Sequence, residues 1–555
     1  MAALSMTRAS ALSNNGRLRT PVSASSFRYF LWLFLALLGV ALLFVPGMTP
    51  SFSADDYPHL VKNIHYRGFL QALSVFTELD GREYRPTVRL SLWLNYQMSS
   101  TAVPFHYTNL LLHIVCILCL YGILRTLGGA SLPAVAGSLV FAVHPIHTTN
   151  IFFIMGRTDL LCAVFYLLSV LFFLIYLVHG RRVFIGLALV AFIFSLLSKE
   201  MAASLPLVLF VIATLHGNKP WRASLITASM TTAIFFVLLG AYMAIRIYFW
   251  SANADNITGY MNYSAVGIIR NLLQWIAGLS YPFNLYQLRN LLETRPGLVA
   301  AAALLYGLAA LAILAFIVGR NVRQLVRNKL LWLGLFWFML TLMPVLGGLA
   351  HRWYLYLPSA SIALFVCAFW QITEKRRLLT LTLFIAGVLG GMEVLRQSNT
   401  WHRQSSISEA FLMEVEKKEL HKQQSFYFAN VPFGYQSTYL FTFHSLEDAM
   451  YLRWGTRPKI FILSYLNLDN GTVVKSNLKN NTLSVEMAPD RYQFFIFPIA
   501  QRRFTRPGET LKVGKATVSL DTLVSSGAVS HYSIETPPNK TPFYYFDGTE
   551  ISRMR

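Results

Sequence analysis

Residues 30–57 read FLWLFLALLGVALLFVPGMTPSFSADDY. The opening run, Phe30–Val45, carries no charge, and the basic residues ahead of it are Arg8, Arg17, Arg19 and Arg28. An uncharged apolar run with cationic residues only on its N-terminal side reads as a membrane helix with a cytoplasmic N-terminus. Pro46, Gly47 and Pro50 then read as the start of a loop rather than a signal cleavage site. The loop carries Asp55 and Asp56 on the non-cytoplasmic side, in a chain with only 25 acidic residues. Two adjacent carboxylates at a membrane surface make a candidate catalytic pair, since one can take a proton while the other orients it or raises its basicity.

The rest of the composition extends this reading. Of 555 residues, 55% are hydrophobic and 13% charged, and the mean hydropathy is +0.48, which a soluble core does not require. About eleven membrane-length apolar segments are expected between residues 29 and 395, centred near 37, 114, 139, 170, 190, 208, 236, 308, 340, 362 and 385. The net charge of +22 comes mostly from the apolar part. Basic residues at alternate helix ends explain it as an orientation signal, with anionic lipid headgroups as partners and no nucleic acid. Cys116, Cys119, Cys162 and Cys367 all fall in apolar spans, so neither a disulfide framework nor a metal site is expected from them.

The basic connections are Arg125, Arg181–Arg182, Lys219 with Arg222, the cluster Arg320 to Lys329, and Lys375 to Arg377. They alternate with basic-poor loops if residues 267–287, an apolar stretch containing Trp275, are interfacial or re-entrant instead of crossing. The expected architecture is an all-α polytopic membrane bundle of about 11 transmembrane helices with a C-terminal soluble α+β domain. Its parts are a cytoplasmic tail (1–28), a membrane domain (29–400) with a long first external loop (46–104), and an extracytoplasmic domain (401–555). In that last part, Ser408–Gln423 reads as a helix and FYFANVPFGY followed by LEDAMYLRWG as strand, turn and helix. Segments such as IFILSYLNL, DNGTVVKSNL, NTLSVEM, YQFFIFPI and ATVSLDTL then read as strands and hairpins. Sequons at Asn256, Asn262, Asn470, Asn480 and Asn539 fall in segments expected outside, compatible with a eukaryotic lumen as well as a bacterial periplasm.

This topology puts Asp55, Asp159, Lys199, Glu200 and Arg352 on one external face. Long loops are often functional, and the first also carries Tyr84 and Arg85, with Glu78, Asp80, Arg82, Glu83 and Trp93 nearby. Other external motifs are His144-Pro145-Ile146-His147, Gly156-Arg157-Thr158-Asp159, Ser198-Lys199-Glu200 and His351-Arg352-Trp353-Tyr354. Each has a plainer use. Arg157 and Lys199 would serve as snorkelling anchors, Glu200 as a neutraliser of Lys199, the histidines as capping or packing residues around Pro145, and one of the two aspartates as a helix cap.

Six stretches, in order, resemble the protein O-mannosyltransferase superfamily of type C glycosyltransferases, and in particular its transmembrane, tetratricopeptide-repeat branch and bacterial relatives. They are SADDY at 53, YRPTVRLSLWLNY at 84, PFHYTNLLLHI at 104, FAVHPIHTTNIFFIMGRTDLL at 141, LLSKEMAASLPLVL at 196 and RWYLYLPS at 352. The resemblance implies a type C glycosyltransferase-like bundle with an acidic motif in the first external loop. His351 departs from it, standing where relatives tend to have an acid, and the tail shows no 34-residue helical repeat.

The expected function is inverting transfer of a sugar from a polyprenyl-phosphate donor to an acceptor hydroxyl on a protein, glycan or lipid. Asp56 is favoured as general base with Asp55 beside it. Arg157, Lys199 and Arg352 are expected to bind the donor phosphate, Arg through its planar fork. His144, His147, Asp159, Glu200, Tyr84, Arg85 and Tyr354 are the candidates for other substrate contacts. No cofactor is assigned; a divalent metal is admitted, although two carboxylates alone make a poor cage. The rival is a transporter or flippase without covalent chemistry. That class tends to show internal repeats and mid-membrane ionisable sites, and neither is evident here.

Overall fold

A computed structural model describes residues 24–78, 84–216, 220–251, 264–279, 295–319, 321–348, 351–436, 438–442, 445–468, 475–479, 482–486, 508–523, 529–535 and 541–554. Up to residue 417 the described chain is almost entirely helical, and beyond it the chain is mainly sheet. Every apolar centre read from the sequence falls inside a helix. Five described helical segments are long and apolar enough to cross a membrane: Val103–Thr126, Ile154–His179, Trp221–Tyr248, Arg352–Ile372 and Arg376–Lys417. Others, including Ser131–Ala142, Arg182–Leu196, Glu200–Leu215 and Lys329–Val345, are shorter. At 1.5 Å per residue, the 12-residue helix Ser131–Ala142 reaches about 18 Å against a hydrocarbon layer of about 30 Å. Helix positions are thus as expected, and five membrane-length helices are established among the described residues.

The helix Ala265–Leu279 corresponds to the stretch read as interfacial. It buries Gly267, Asn271, Trp275 and Gly278 on one side and exposes Val266, Ile269, Leu273 and Ile276 on the other. The buried side is held by Asn271, whose amide donates to the carbonyls of Leu346 (3.0 Å) and Gly348 (2.7 Å). Fifteen residues with one apolar face left open suit a helix lying along a membrane surface.

The main core packs Phe44, Phe105, Ile117, Phe152, Tyr166, Phe173, Trp337 and Tyr356. Large apolar side chains such as Trp32, Met230, Leu305, Phe384 and Met392 are left on the outside of the bundle, the arrangement expected where lipid is the solvent. The C-terminal module has a second core built around Phe411, Phe426, Phe428, Phe441, Leu446, Tyr465 and Tyr532.

The helix Arg376–Lys417 joins the two parts. Its 42 residues span about 63 Å, twice what a bilayer core needs. Val394 and Trp401 pack in the first core, while Phe411, Leu412 and Val415 pack in the second. The boundary expected at 400/401 therefore falls inside a continuous helix, and the separate helix expected over 408–423 is its continuation.

Three sheets follow. The first has Ser425–Ala429 at its centre, parallel to both Phe543–Phe546 and Lys459–Ile462, with Ile551–Met554 antiparallel on the outer edge. Parallel neighbours need a crossover, and the helix Ser445–Trp454 lies between Ser425–Ala429 and Lys459–Ile462 in sequence. The second sheet has five antiparallel strands, Lys475–Lys479, Thr482–Glu486, Val529–Glu535, Ala516–Leu523 and Thr510–Val513 in spatial order. The third is small: Thr438–Tyr439, Val431–Tyr435 and Tyr465–Asn467. The α+β expectation thus matches the described module; YQFFIFPI lies outside the described residues.

Candidate active site

The acid motif sits on a tight turn. Ala54 has φ +43°, a left-handed conformation that costs an L-residue about 1–2 kcal/mol, and its amide is held by the carbonyl of Leu440 at 2.7 Å. The turn separates the two acids. Asp56 is buried: one carboxylate oxygen accepts the Ser53 amide (2.9 Å) and hydroxyl (3.3 Å), and the other accepts the Met155 amide (3.1 Å). Asp55 is exposed and accepts the Thr442 hydroxyl at 2.9 Å. Of the two, Asp55 is the exposed one, whereas both oxygens of Asp56 are engaged in holding the loop against the segment that leads into Arg157.

Burial pushes the Asp56 carboxyl up to about 8; the donors from Ser53 and Met155 offset this only in part, and Asp55 adds to it. The folded protein therefore binds this proton more tightly than the unfolded chain, whose carboxyl titrates near 3.8. Stability contributed here is complete below about pH 4 and is lost as pH rises towards 8. The melting temperature of the detergent-solubilised protein should fall between pH 5 and 8, and Asp56→Asn should flatten that slope. Parallel slopes for the two proteins would refute it.

Arg157 occupies a different place from the one expected of a phosphate ligand. Its side chain is fully buried. Nε donates to Asn109 (2.9 Å), Nη1 to Asn95 (2.5 Å) and to the carbonyl (3.2 Å) and hydroxyl (3.3 Å) of Ser91, and Nη2 to the carbonyl of Phe105 (2.7 Å). Asn109 in turn donates to the carbonyls of Asn150 (3.2 Å), Phe153 (3.2 Å) and Ile154 (3.3 Å). Gly156 allows this close approach, because a Cβ there would lie 2.4 Å from the Asn150 carbonyl oxygen. The guanidinium is thus the tie that orders the segment supporting Asp56. Sequence reading passed over Asn95 and Asn109; the available signal was amide side chains in otherwise apolar helices.

Lys199 and Asp159 do meet. The ammonium lies 2.7 Å from both carboxylate oxygens, with both residues buried, and 4.6 Å from the centre of the Tyr354 ring. Glu200 faces away from Lys199 and takes two arginines instead, Arg85 at 3.2 Å and Arg246 at 2.8 Å. Arg246, which also donates to the Tyr242 hydroxyl at 2.8 Å, was not singled out from sequence. Tyr84 donates to the Phe76 carbonyl at 2.7 Å. Asp80, Arg82 and Glu83 lie outside the described residues.

Arg352 is half-buried and, among the described residues, donates one long hydrogen bond, 3.4 Å, to the side-chain amide oxygen of Gln397. Its Nε has no partner among the described residues. Gln397 is itself anchored by Glu393 (2.8 Å) and the Thr148 hydroxyl. His144 is used structurally: Nδ1 accepts the Ile146 amide and Nε2 meets the Leu279 carbonyl, both at 3.2 Å. His147 is fully buried beside Phe141 (4.4 Å), Tyr356 (4.6 Å) and His113 (5.1 Å). His144 thus caps the turn at Pro145, and His147 packs among the rings around it. His351 stacks on Trp353 at 4.1 Å. Among the described residues no three His, Cys, Asp or Glu side chains converge as a metal site.

A curated protein O-mannosyl-transferase of Caenorhabditis elegans is 26% identical to this chain over 242 residues, 41% of this chain and 34% of that protein. The chain is related to the protein O-mannosyl-transferases. Protein O-mannosyl-transferase TMTC4 of Homo sapiens is 37% identical over 105 residues, and protein O-mannosyl-transferase Tmtc2 of Drosophila melanogaster 39% identical over 100. The matches cover 14% and 10% of those two proteins, so the resemblance to O-mannosyl-transferases is confined to a part of each relative's length. No family model matches the chain.

Proposed function

We propose that this protein is a multi-pass membrane glycosyltransferase that moves a sugar, mannose on the strength of its relatives' names, from a polyprenyl-phosphate donor to a hydroxyl on a protein acceptor. A glycan or lipid acceptor uses the same chemistry. The observation that carries the reading is the divided acid pair: Asp55 exposed, Asp56 buried and braced against the segment ordered by Arg157.

In this reading Asp55, rather than Asp56, is the general base. It takes the proton from the acceptor hydroxyl as that oxygen attacks the anomeric carbon, opposite the bond to phosphate. That bond breaks, its electron pair leaves with the phosphate, and the anomeric configuration inverts. Arg352 is the better placed phosphate ligand, because a half-buried guanidinium held by one long contact to a neutral amide retains donor capacity. Lys199 adds positive charge through its Tyr354-lined end, although Asp159 already neutralises much of it. Eleven crossings, a cytoplasmic N-terminus and a C-terminal module in the periplasm or the endoplasmic reticulum lumen complete the proposal.

The test is incubation of the purified protein in sealed, oriented vesicles with a panel of polyprenyl-phosphate sugars and membrane-impermeant acceptors, with products read by mass spectrometry. Transfer on the side carrying residues 418–555 supports the reading. Absence of transfer and of donor cleavage across the panel would sink it. Within that assay Arg352→Lys should raise the donor KM about tenfold, since it keeps charge but loses the fork, and Arg352→Ala should be worse. Unchanged kinetics with a lower melting temperature would limit Arg352 to a structural role.

A further inference from the structure

We propose that the C-terminal module is a working part of the acid motif, with Leu440, Phe441 and Thr442 as the strip that shapes it and Thr442 as the positioning residue for Asp55. The catalytic consequence rests on the glycosyltransferase reading; the placement rests on geometry alone.

The strip extends the edge of the small third sheet. After Thr438–Tyr439 the pairing continues, with the Leu440 amide donating to Phe433 (2.8 Å) and the Phe441 amide to Pro432 (3.1 Å). The next group on this edge, the Leu440 carbonyl, is taken by the Ala54 amide at 2.7 Å. The acid turn therefore closes a sheet edge that would otherwise present an open acceptor, and the sheet holds the one residue of the motif with a left-handed backbone.

Further contacts act in the same place. Phe441 stacks on Tyr57 at 5.9 Å and 15°, and Tyr57 belongs to the core of the C-terminal module although it lies far away in sequence. Ser51 donates to Glu409 at 2.9 Å and meets Ser405 at 2.8 Å, and Glu409 is held by Arg453 at 2.7 Å. Thr442 is buried with its amide donating to Ser445 at 2.7 Å, so its hydroxyl reaches Asp55 from a fixed backbone. Both sides of the acid turn are thereby supported: Met155 from the bundle on Asp56, Thr442 from the module on Asp55. A carboxylate that must meet an acceptor hydroxyl in line loses rate steeply when its orientation is loosened.

The experiment uses the full chain with Thr442→Val, which keeps shape and removes the hydroxyl, and Thr442→Ser, which restores it. Two measurements are made: sugar transfer, and hydrogen exchange of the peptide covering residues 50–60. Thr442→Val should lower kcat about 10- to 100-fold, the worth of a hydrogen bond to a charged group, leave the donor KM within about twofold, and speed exchange at the acid turn. Thr442→Ser should return both towards wild type. Unchanged kcat in Thr442→Val, or equal losses in Val and Ser, would overturn the proposal. If the wild type transfers no sugar at all, the functional reading fails, and the exchange comparison then decides the positioning by itself.

Discussion

Asp55→Asn is expected to lower transfer by on the order of 100- to 10,000-fold, the usual contribution of a general base, with expression and melting temperature close to wild type. The carboxylate is exposed and accepts the Thr442 hydroxyl, a bond that an asparagine oxygen can still accept, so the substitution removes basicity while keeping that contact. Asp56→Asn should behave differently. It offers an amide NH2 where two backbone amides and a hydroxyl now converge on carboxylate oxygens, so it should loosen the loop and reduce activity by misplacing Asp55. Single-turnover kinetics alongside thermal unfolding separates the two. Near-normal turnover in Asp55→Asn would return the base role to Asp56 or remove it from the pair.

Lys199→Met should be the most destabilising single change in the bundle, by about 3–5 kcal/mol. It leaves Asp159 as an unpaired charge among apolar helices, and removing one partner of a buried pair costs far more than removing both. Lys199→Met with Asp159→Leu should recover most of the loss. Melting temperatures in detergent decide the stability half of the claim. Transfer by the double variant decides the rest: a stable but inactive protein means the ammonium also serves the donor, whereas a stable, active one confines the pair to holding Glu200–Leu215 against Ile154–His179. Additive losses in the two single variants would refute the coupling.

Helix positions were legible in the sequence because each depends on a short window of apolar residues, and all the apolar centres fall in helices. Hydropathy says less about where a helix stops. The segment centred near 139 ends after 12 residues, and the one centred near 385 runs on through the expected domain boundary to Lys417. Among the described residues, the strand and helix order of the C-terminal module was legible for the same local reason, from alternation broken by turn residues.

The acid pair, the GRTD and SKE motifs and the Arg352 segment could likewise be picked out, because charged groups in an apolar chain need a reason to be there. What each does could not. Arg157 and Arg352 are both arginines at helix ends in the sequence, yet one is enclosed by Asn95, Asn109, Ser91 and Phe105 while the other, among the described residues, has one long hydrogen bond. Lys199 and Glu200 are adjacent and of opposite charge, but the chain points them to different partners, Asp159 on one side and Arg85 with Arg246 on the other. The sequence alone determined an apolar, helix-rich chain with an acid pair after its first apolar segment and a sheet-forming tail. Only the tertiary structure decided which acid is open, which cation is spent, and that Thr442, 387 residues away, touches Asp55. Periodicity and hydropathy are sums over neighbours in the chain, whereas the state of a charge is set by whichever groups the fold brings within hydrogen-bonding distance, however far apart they are in sequence.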